Sequence, residues 1–183
     1  MFSRSSSPRR LAAELYGHAV AAARAPAFYA DLAVPDTVEG RYEMIVLHVV
    51  LLLRRLRAPG AGQKKLAQAL VDFMAADLDR SIRELGVGDM SVGKFMKRLG
   101  EGLFGRAAAY DGALDDNDRQ ALELAVLRNI FDGYDPGVRN LAAIARYIQA
   151  QNDHLAGLAI EPLAAGHVDF LPLTDMQRDP ETA

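Results

Sequence analysis

The chain has 183 residues, half of them apolar and a quarter charged, with a formal net charge of −3. That is the length of one domain, with apolar content enough to bury a core without staples. Cysteine is absent, which excludes disulfides, thiolate metal sites and thiol catalysis together and fits a reducing compartment.

The charge is unevenly spread. Residues 1–110 hold 16 basic and 11 acidic side chains, and residues 111–183 hold 5 and 13. A basic half can face ribosomal RNA or an anionic membrane surface, or simply fold against the acidic half. Nothing in the pattern points to DNA.

Residues 1–10, rich in Ser and Arg and without an acid, read as a disordered tail too short for a transit peptide. Leu11, Leu15, His18 and Ala22 have helical spacing, so a first helix runs to about Arg24, where Pro26 breaks or restarts it. Residues 31–40 turn into a second helix. Asp36 or Thr37 is its N-cap, and Glu39 is placed for a capping box. From Met44 to Leu53 that helix is apolar all round except for His48, the pattern of a central, buried helix. Glu43 and Arg54-Arg55 close the run well short of the roughly 20 residues of a membrane span.

Pro59 and Gly60 stop the second helix near Arg57. A third, Gln63 to Leu85, ends at Gly86 and Gly88. Ser91 caps a fourth, with Val92, Phe95, Met96, Leu99 and Leu103 on its apolar side, reaching about Tyr110. Asp115, Asp116 and Asp118 start a fifth that reaches Phe131, since carboxylates favour a helix N-terminus. Pro136 opens the last long helix, which carries Leu141, Ile144, Ala145, Ile148 and Leu155. Beyond Gly157 the chain wraps the surface, and from Thr174 it is a second disordered tail. No stretch alternates with period two. The expected fold is all-α: one compact domain of six to seven helices over residues 11–173.

No catalytic constellation assembles, so an enzyme is not expected. Gly100 to Gly105 matches G-x-G-x-x-G, but that fingerprint binds dinucleotides only after a strand. Here it follows a helical pattern and reads as a small helix face that lets another helix approach. Residues 60–65 lack the spacing and the hydroxyl of a phosphate loop. The histidines His18, His48, His154 and His167 form no metal-binding spacing, so no metal or cofactor is called for. His48 reads first as a satisfied core histidine and second as a partner contact. Outside the N-terminal tail the serines are Ser81 and Ser91, neither in a nucleophile elbow.

Two segments carry a resemblance. The first is Arg24-Ala-Pro-Ala-Phe28-Tyr29, then Val34 to Tyr42, then Leu47-His48 and Arg54-Arg55-Leu56. The second is Gly93-Lys94-Phe95-Met96-Lys97, then Phe104-Gly105-Arg106 and Tyr110-Asp111. In this order they resemble the ubiquinol–cytochrome c chaperone family, helical assembly factors of the respiratory bc1 complex, over roughly residues 12–160. The resemblance implies a non-enzymatic chaperone. Its mitochondrial members bind newly made cytochrome b, work near the ribosome and pair with a small partner protein. This sequence starts almost at the domain, without the long N-terminal extension of an imported member. It is therefore expected to be a bacterial, cytoplasmic member, peripheral to the inner membrane, with cytochrome b as its partner.

A factor that holds apolar spans needs an adaptable apolar groove with a wet rim. Phe28, Tyr29, Phe95 and Met96 are the candidate lining. Arg24, Arg41, Lys94, Lys97 and Arg106 are candidates for contacts to loops, lipid phosphates or RNA, and His48 is a further candidate contact. Pro35, Asp36, Thr37 and Gly40 set the turn and cap. The rival expectation is a helical protein binding a small hydrophobic ligand (lipid, quinone or haem) between its helices.

Overall fold

The structure, a computed structural model, describes residues 7–84 and 89–173, with the helical backbone alone described for 82 and 89–101. Eight helices lie among the described residues. They are α1 (Pro8–Ala23), α2 (Pro26–Ala30), α3 (Val38–Arg57), α4 (Lys64–Glu84), α5 (Asp89–Asp115), α6 (Arg119–Asn129), α7 (Val138–Gly157) and α8 (Ile160–Ala164). No strand occurs among these residues.

The all-round apolar helix is the centre of the domain. α3 packs against α1, α4, α5 and α7, and its side chains from Val46 to Leu53 are buried without interruption. A helix surrounded on all sides needs no polar face, which is why its sequence has none over that run.

Local chemistry sets the boundaries, in places away from the expected residue. Ser7 Oγ accepts from the Arg10 N–H at 3.3 Å with Pro8 behind it, so α1 starts at Pro8, three residues before Leu11. Pro26 restarts the chain as the single turn α2. Thr37 Oγ1 accepts from the Gly40 N–H at 3.1 Å and caps α3. Ser91 lies inside α5, which runs on to Asp115 rather than stopping at Tyr110. Asp118 Oδ1 accepts from the Ala121 N–H at 2.9 Å and caps α6. α6 ends at Asn129, two residues short of Phe131. Pro136 precedes the α7 cap, Gly137, instead of occupying the first turn. Residues 8–10, expected as part of the N-terminal tail, belong to α1, while residues 1–6, Leu85, Gly86, Gly88 and residues 174–183 fall outside the described residues.

The stretch beyond Gly157 is a strap held into the core. It contains α8, and Leu163, Val168 and Leu173 are buried. At one end of the bundle the Tyr29 hydroxyl donates to the Ala23 carbonyl at 2.7 Å, and the Arg41 guanidinium stacks 5.0 Å from the Tyr29 ring centroid. The end of α1 and the start of α3 therefore share that end. Residues 58–63, with Gly60 at φ 80° and Gly62 at φ 67°, reverse α3 into α4 at the other end, a backbone conformation that favours glycine. α1 packs along both α3 and α4, which directs its first turn toward that second end.

Candidate functional site

The residues singled out in the sequence separate into a buried group and an exposed group. His48 is the most buried of them, with no exposed surface. Its Nδ1 lies 2.7 Å from the Met44 carbonyl, and its Nε2 lies 2.7 Å from the Tyr147 hydroxyl. A carbonyl only accepts, so Nδ1 carries the proton, and Nε2 accepts from Tyr147. The Phe170 ring meets the imidazole edge-on at 5.0 Å between centroids. Phe28, also fully buried, meets Tyr147 edge-on at 5.0 Å. Burial without a charge partner pushes the imidazole down to about 4, so it is neutral at physiological pH.

One turn along from Tyr147, the buried Gln151 holds the strap. Its Nε2 donates to the Leu171 carbonyl at 2.7 Å and its Oε1 accepts from the Leu171 N–H at 3.1 Å. His154 Nε2 donates to the Asp169 carbonyl at 2.9 Å. His48 and Phe28 are therefore core residues here, as the first reading of His48 expects, and neither is presented at the surface. The space that a bound lipid, quinone or haem would need beside His48 is filled by Phe28, Tyr147 and Phe170.

Arg106 is also turned inward. Its Nε–H and Nη2–H donate to the two oxygens of the Glu43 carboxylate, and the two side chains are only 22% and 11% exposed. The pair bolts α5 to α3. Burial still holds the Glu43 carboxyl above the usual carboxylate range, against the pull of Arg106. Gly102 serves this pair, since a Cβ there would run into the Arg106 guanidinium. That is the physical reason for one glycine of the G-x-G-x-x-G string. Arg54 makes a second clamp, reaching Asn152 at 2.8 Å, Asp111 at 3.2 Å and Asp115, which joins α3 to α5 and α7.

The exposed candidates are Arg24, Tyr29 and Arg41. Arg24 is exposed at the end of α1, Tyr29 is half-buried beside it, and Arg41 pairs with Asp36 at 2.6 Å. Asp36 thus holds Arg41, leaving the cap to Thr37. Gly40 admits the Pro35 carbonyl, into which any Cβ would collide. Pro35, Asp36, Thr37 and Gly40 together form one turn that aims α3. The side chains of Lys94, Phe95, Met96 and Lys97 lie outside the described residues.

The sequence reading missed a feature on the opposite flank of α5. Phe104 is 60% exposed and Leu124 on α6 is 59% exposed. Between α5 and α6 lies an open groove of about 600 Å³, lined by Ala109, Ala121, Leu124, Ala125 and Leu127, with Arg128 and Asp132 at its edge. Gly105 and Gly112 face open space rather than a neighbouring helix. Of the small face expected to pack internally, Gly105 is turned outward here. The available signal was the Phe104-Gly105 pair beside small residues on α5. Among the described residues no group of three or more His, Asp or Glu side chains could hold a metal, and no helix is long and apolar enough to cross a membrane.

Residues 30–170 match the protein family described as Ubiquinol-cytochrome C chaperone. The chain is 32% identical over 149 residues to "Protein CBP3, mitochondrial" of Saccharomyces cerevisiae, covering 79% of this chain and 44% of that one. It is 26% identical over 149 residues to "Ubiquinol-cytochrome c reductase complex assembly factor 1" of Mus musculus, covering 81% and 50%. The chain thus spans about half the length of these relatives. A solved structure, titled "Crystal structure of the Cbp3 homolog from Brucella abortus", superposes with a TM-score of 0.83 at 38% identity, covering 93% of this chain and 94% of that one.

Proposed function

This chain belongs to the ubiquinol–cytochrome c chaperone family, and on that footing we propose that it is a non-enzymatic assembly chaperone for the ubiquinol–cytochrome c reductase (bc1) complex. Its client in this reading is newly made cytochrome b, held at the cytoplasmic face of the inner membrane.

One observation carries the reading beyond family membership. The domain spends its polar chemistry on holding itself together, through His48, Arg54 and Arg106. It leaves uncovered an apolar, small-residue groove between α5 and α6, with the exposed Leu124 in its wall. A shallow groove of this kind takes an apolar helix side-on. Small residues let the two backbones approach closely, as in helix pairs within membranes. The unsatisfied apolar surface of an unassembled membrane subunit is such a ligand. Arg24 at the end of α1, Tyr29 on α2 and Arg41 in the first turn of α3 are the second candidate contact.

Deleting the gene from its host tests the function. Spectroscopic cytochrome b and assembled bc1 complex should fall several-fold while soluble dehydrogenases keep their levels, and the intact gene should restore them. Unchanged bc1 content in the deletion strain contradicts the proposal.

A further inference from the structure

The turn from α3 into α4 presents a concentration of cations with no partners. Arg57, Lys64 and Lys65 are exposed, and none has an ion pair among the described residues. Arg9, exposed in the first turn of α1, is directed to the same end by the packing of α1 along α3 and α4. Elsewhere on the surface several arginines are matched, as in Arg10–Glu14, Arg41–Asp36, Arg83–Asp79 and Arg119–Glu123, while Arg24, Arg128 and Arg139 are exposed without an ion pair among the described residues but do not cluster in one turn.

Helix physics gives the two lysines no structural reason to be there. The first turn of α4 contains no acid, and a cation at that position opposes the helix dipole. Two open clefts meet at this turn and share Arg57, Ala58 and Pro59. One is about 650 Å³ and also touches Lys64 and Lys65. The other is about 590 Å³ and is lined by Arg54 and Arg55 together with Asp111 and Asp115, both of which Arg54 pairs. The exposed Arg57 guanidinium and two ammonium groups thus surround a turn whose tip is Ala58, Pro59 and Gly60.

We propose that this end of the bundle docks on a bilayer surface through the phosphates of anionic phospholipids. Small, apolar tip residues between cations suit the headgroup boundary, where each basic side chain adds attraction and the tip carries no acid to repel. RNA fits less well. Single-stranded RNA is held by stacking on aromatic rings, and neither cleft is lined by one. The docking assigns an orientation to a protein that works beside a membrane, and it stands whether or not the client is cytochrome b.

Co-sedimentation of the full chain with vesicles is the test, since no client is present. Vesicles of phosphatidylcholine alone are compared with vesicles containing about 30% phosphatidylglycerol, the anionic component that sets the surface potential. The chain should sediment with the anionic vesicles only and be released by salt. The triple variant Arg57→Ser, Lys64→Ser, Lys65→Ser, checked for unchanged thermal unfolding, should bind about 100-fold more weakly. The variant Arg128→Ser, Arg139→Ser, which removes exposed cations from α6 and α7, should bind nearly as the parent does. Equal loss in both variants, or equal binding to neutral vesicles, overturns the proposal. So does a preference for single-stranded RNA over anionic vesicles that the triple variant abolishes.

Discussion

The buried centre around His48 and the turn between α3 and α4 treat polar groups in opposite ways. At the centre every hydrogen-bonding atom of the imidazole is matched from within, by Met44 and Tyr147. At the turn, the exposed Arg57, Lys64 and Lys65 have no ion pair among the described residues. A polar group matched inside specifies the fold, because an alternative packing would strand it. A polar group left unmatched at the surface is free for an outside partner. The difference separates residues that make the domain from residues available for its work.

The largest expected effect breaks the internal side. Arg106→Ala leaves Glu43 buried without its cation and should cost about 3–5 kcal/mol in denaturant unfolding. A cost below about 1 kcal/mol would place that pair with the exposed ones.

Tyr147→Phe is subtler. It removes the donor to His48 Nε2 while keeping the ring against Phe28, and should cost about 1–3 kcal/mol. The pH profile sharpens the same point. The folded pKa of His48, about 4, lies below the ordinary 6.5, so the unfolded chain takes the proton first. The stability His48 provides is complete above about pH 6.5 and is lost as pH falls toward 4. Glu43, whose pKa is raised, contributes with the opposite sign. The His48→Leu variant therefore isolates the histidine part: its stability should fall less steeply than the parent's between pH 6.5 and 4. An identical slope would mean that His48 is not neutral and buried.

Thr37→Ala removes the α3 cap and should cost about 1 kcal/mol, with the Arg41–Tyr29 stack loosened by the same change. The smallest effect has the reverse sign. Lys64→Glu puts a carboxylate where the α4 dipole favours one and should stabilise the domain by about 0.3–1 kcal/mol. A loss of stability would show that Lys64 has an internal role and remove it from the unmatched group.

Much of the fold was legible because it rests on local pattern. α3 is marked by an apolar run broken only at His48, and its cap by the adjacent Asp36 and Thr37, of which Thr37 takes the role. Long-range pairing left no such mark. His48 meets Tyr147 across 99 residues, and Arg106 meets Glu43 across 63. Neither periodicity nor spacing encodes such distances, so His48 reads as a core residue with no visible partner and Arg106 as a candidate contact. α8 escaped for a related reason. Five residues with a proline make a poor helix on propensity alone, and it is Leu163, buried in the tertiary core, that fixes it. The outward direction of Gly105 was hidden because a stripe of small residues reads the same whether it packs inside or faces solvent.

The direct test of the central claim is photo-crosslinking in cells, with the probe at position 124, on the edge of the α5–α6 groove, and at position 119 on the same helix as a control. The account predicts that cytochrome b is captured from 124 and not from 119, and that the signal grows when later steps of bc1 assembly are blocked. A folded, well-expressed protein that captures no cytochrome b from 124 under that block would contradict it.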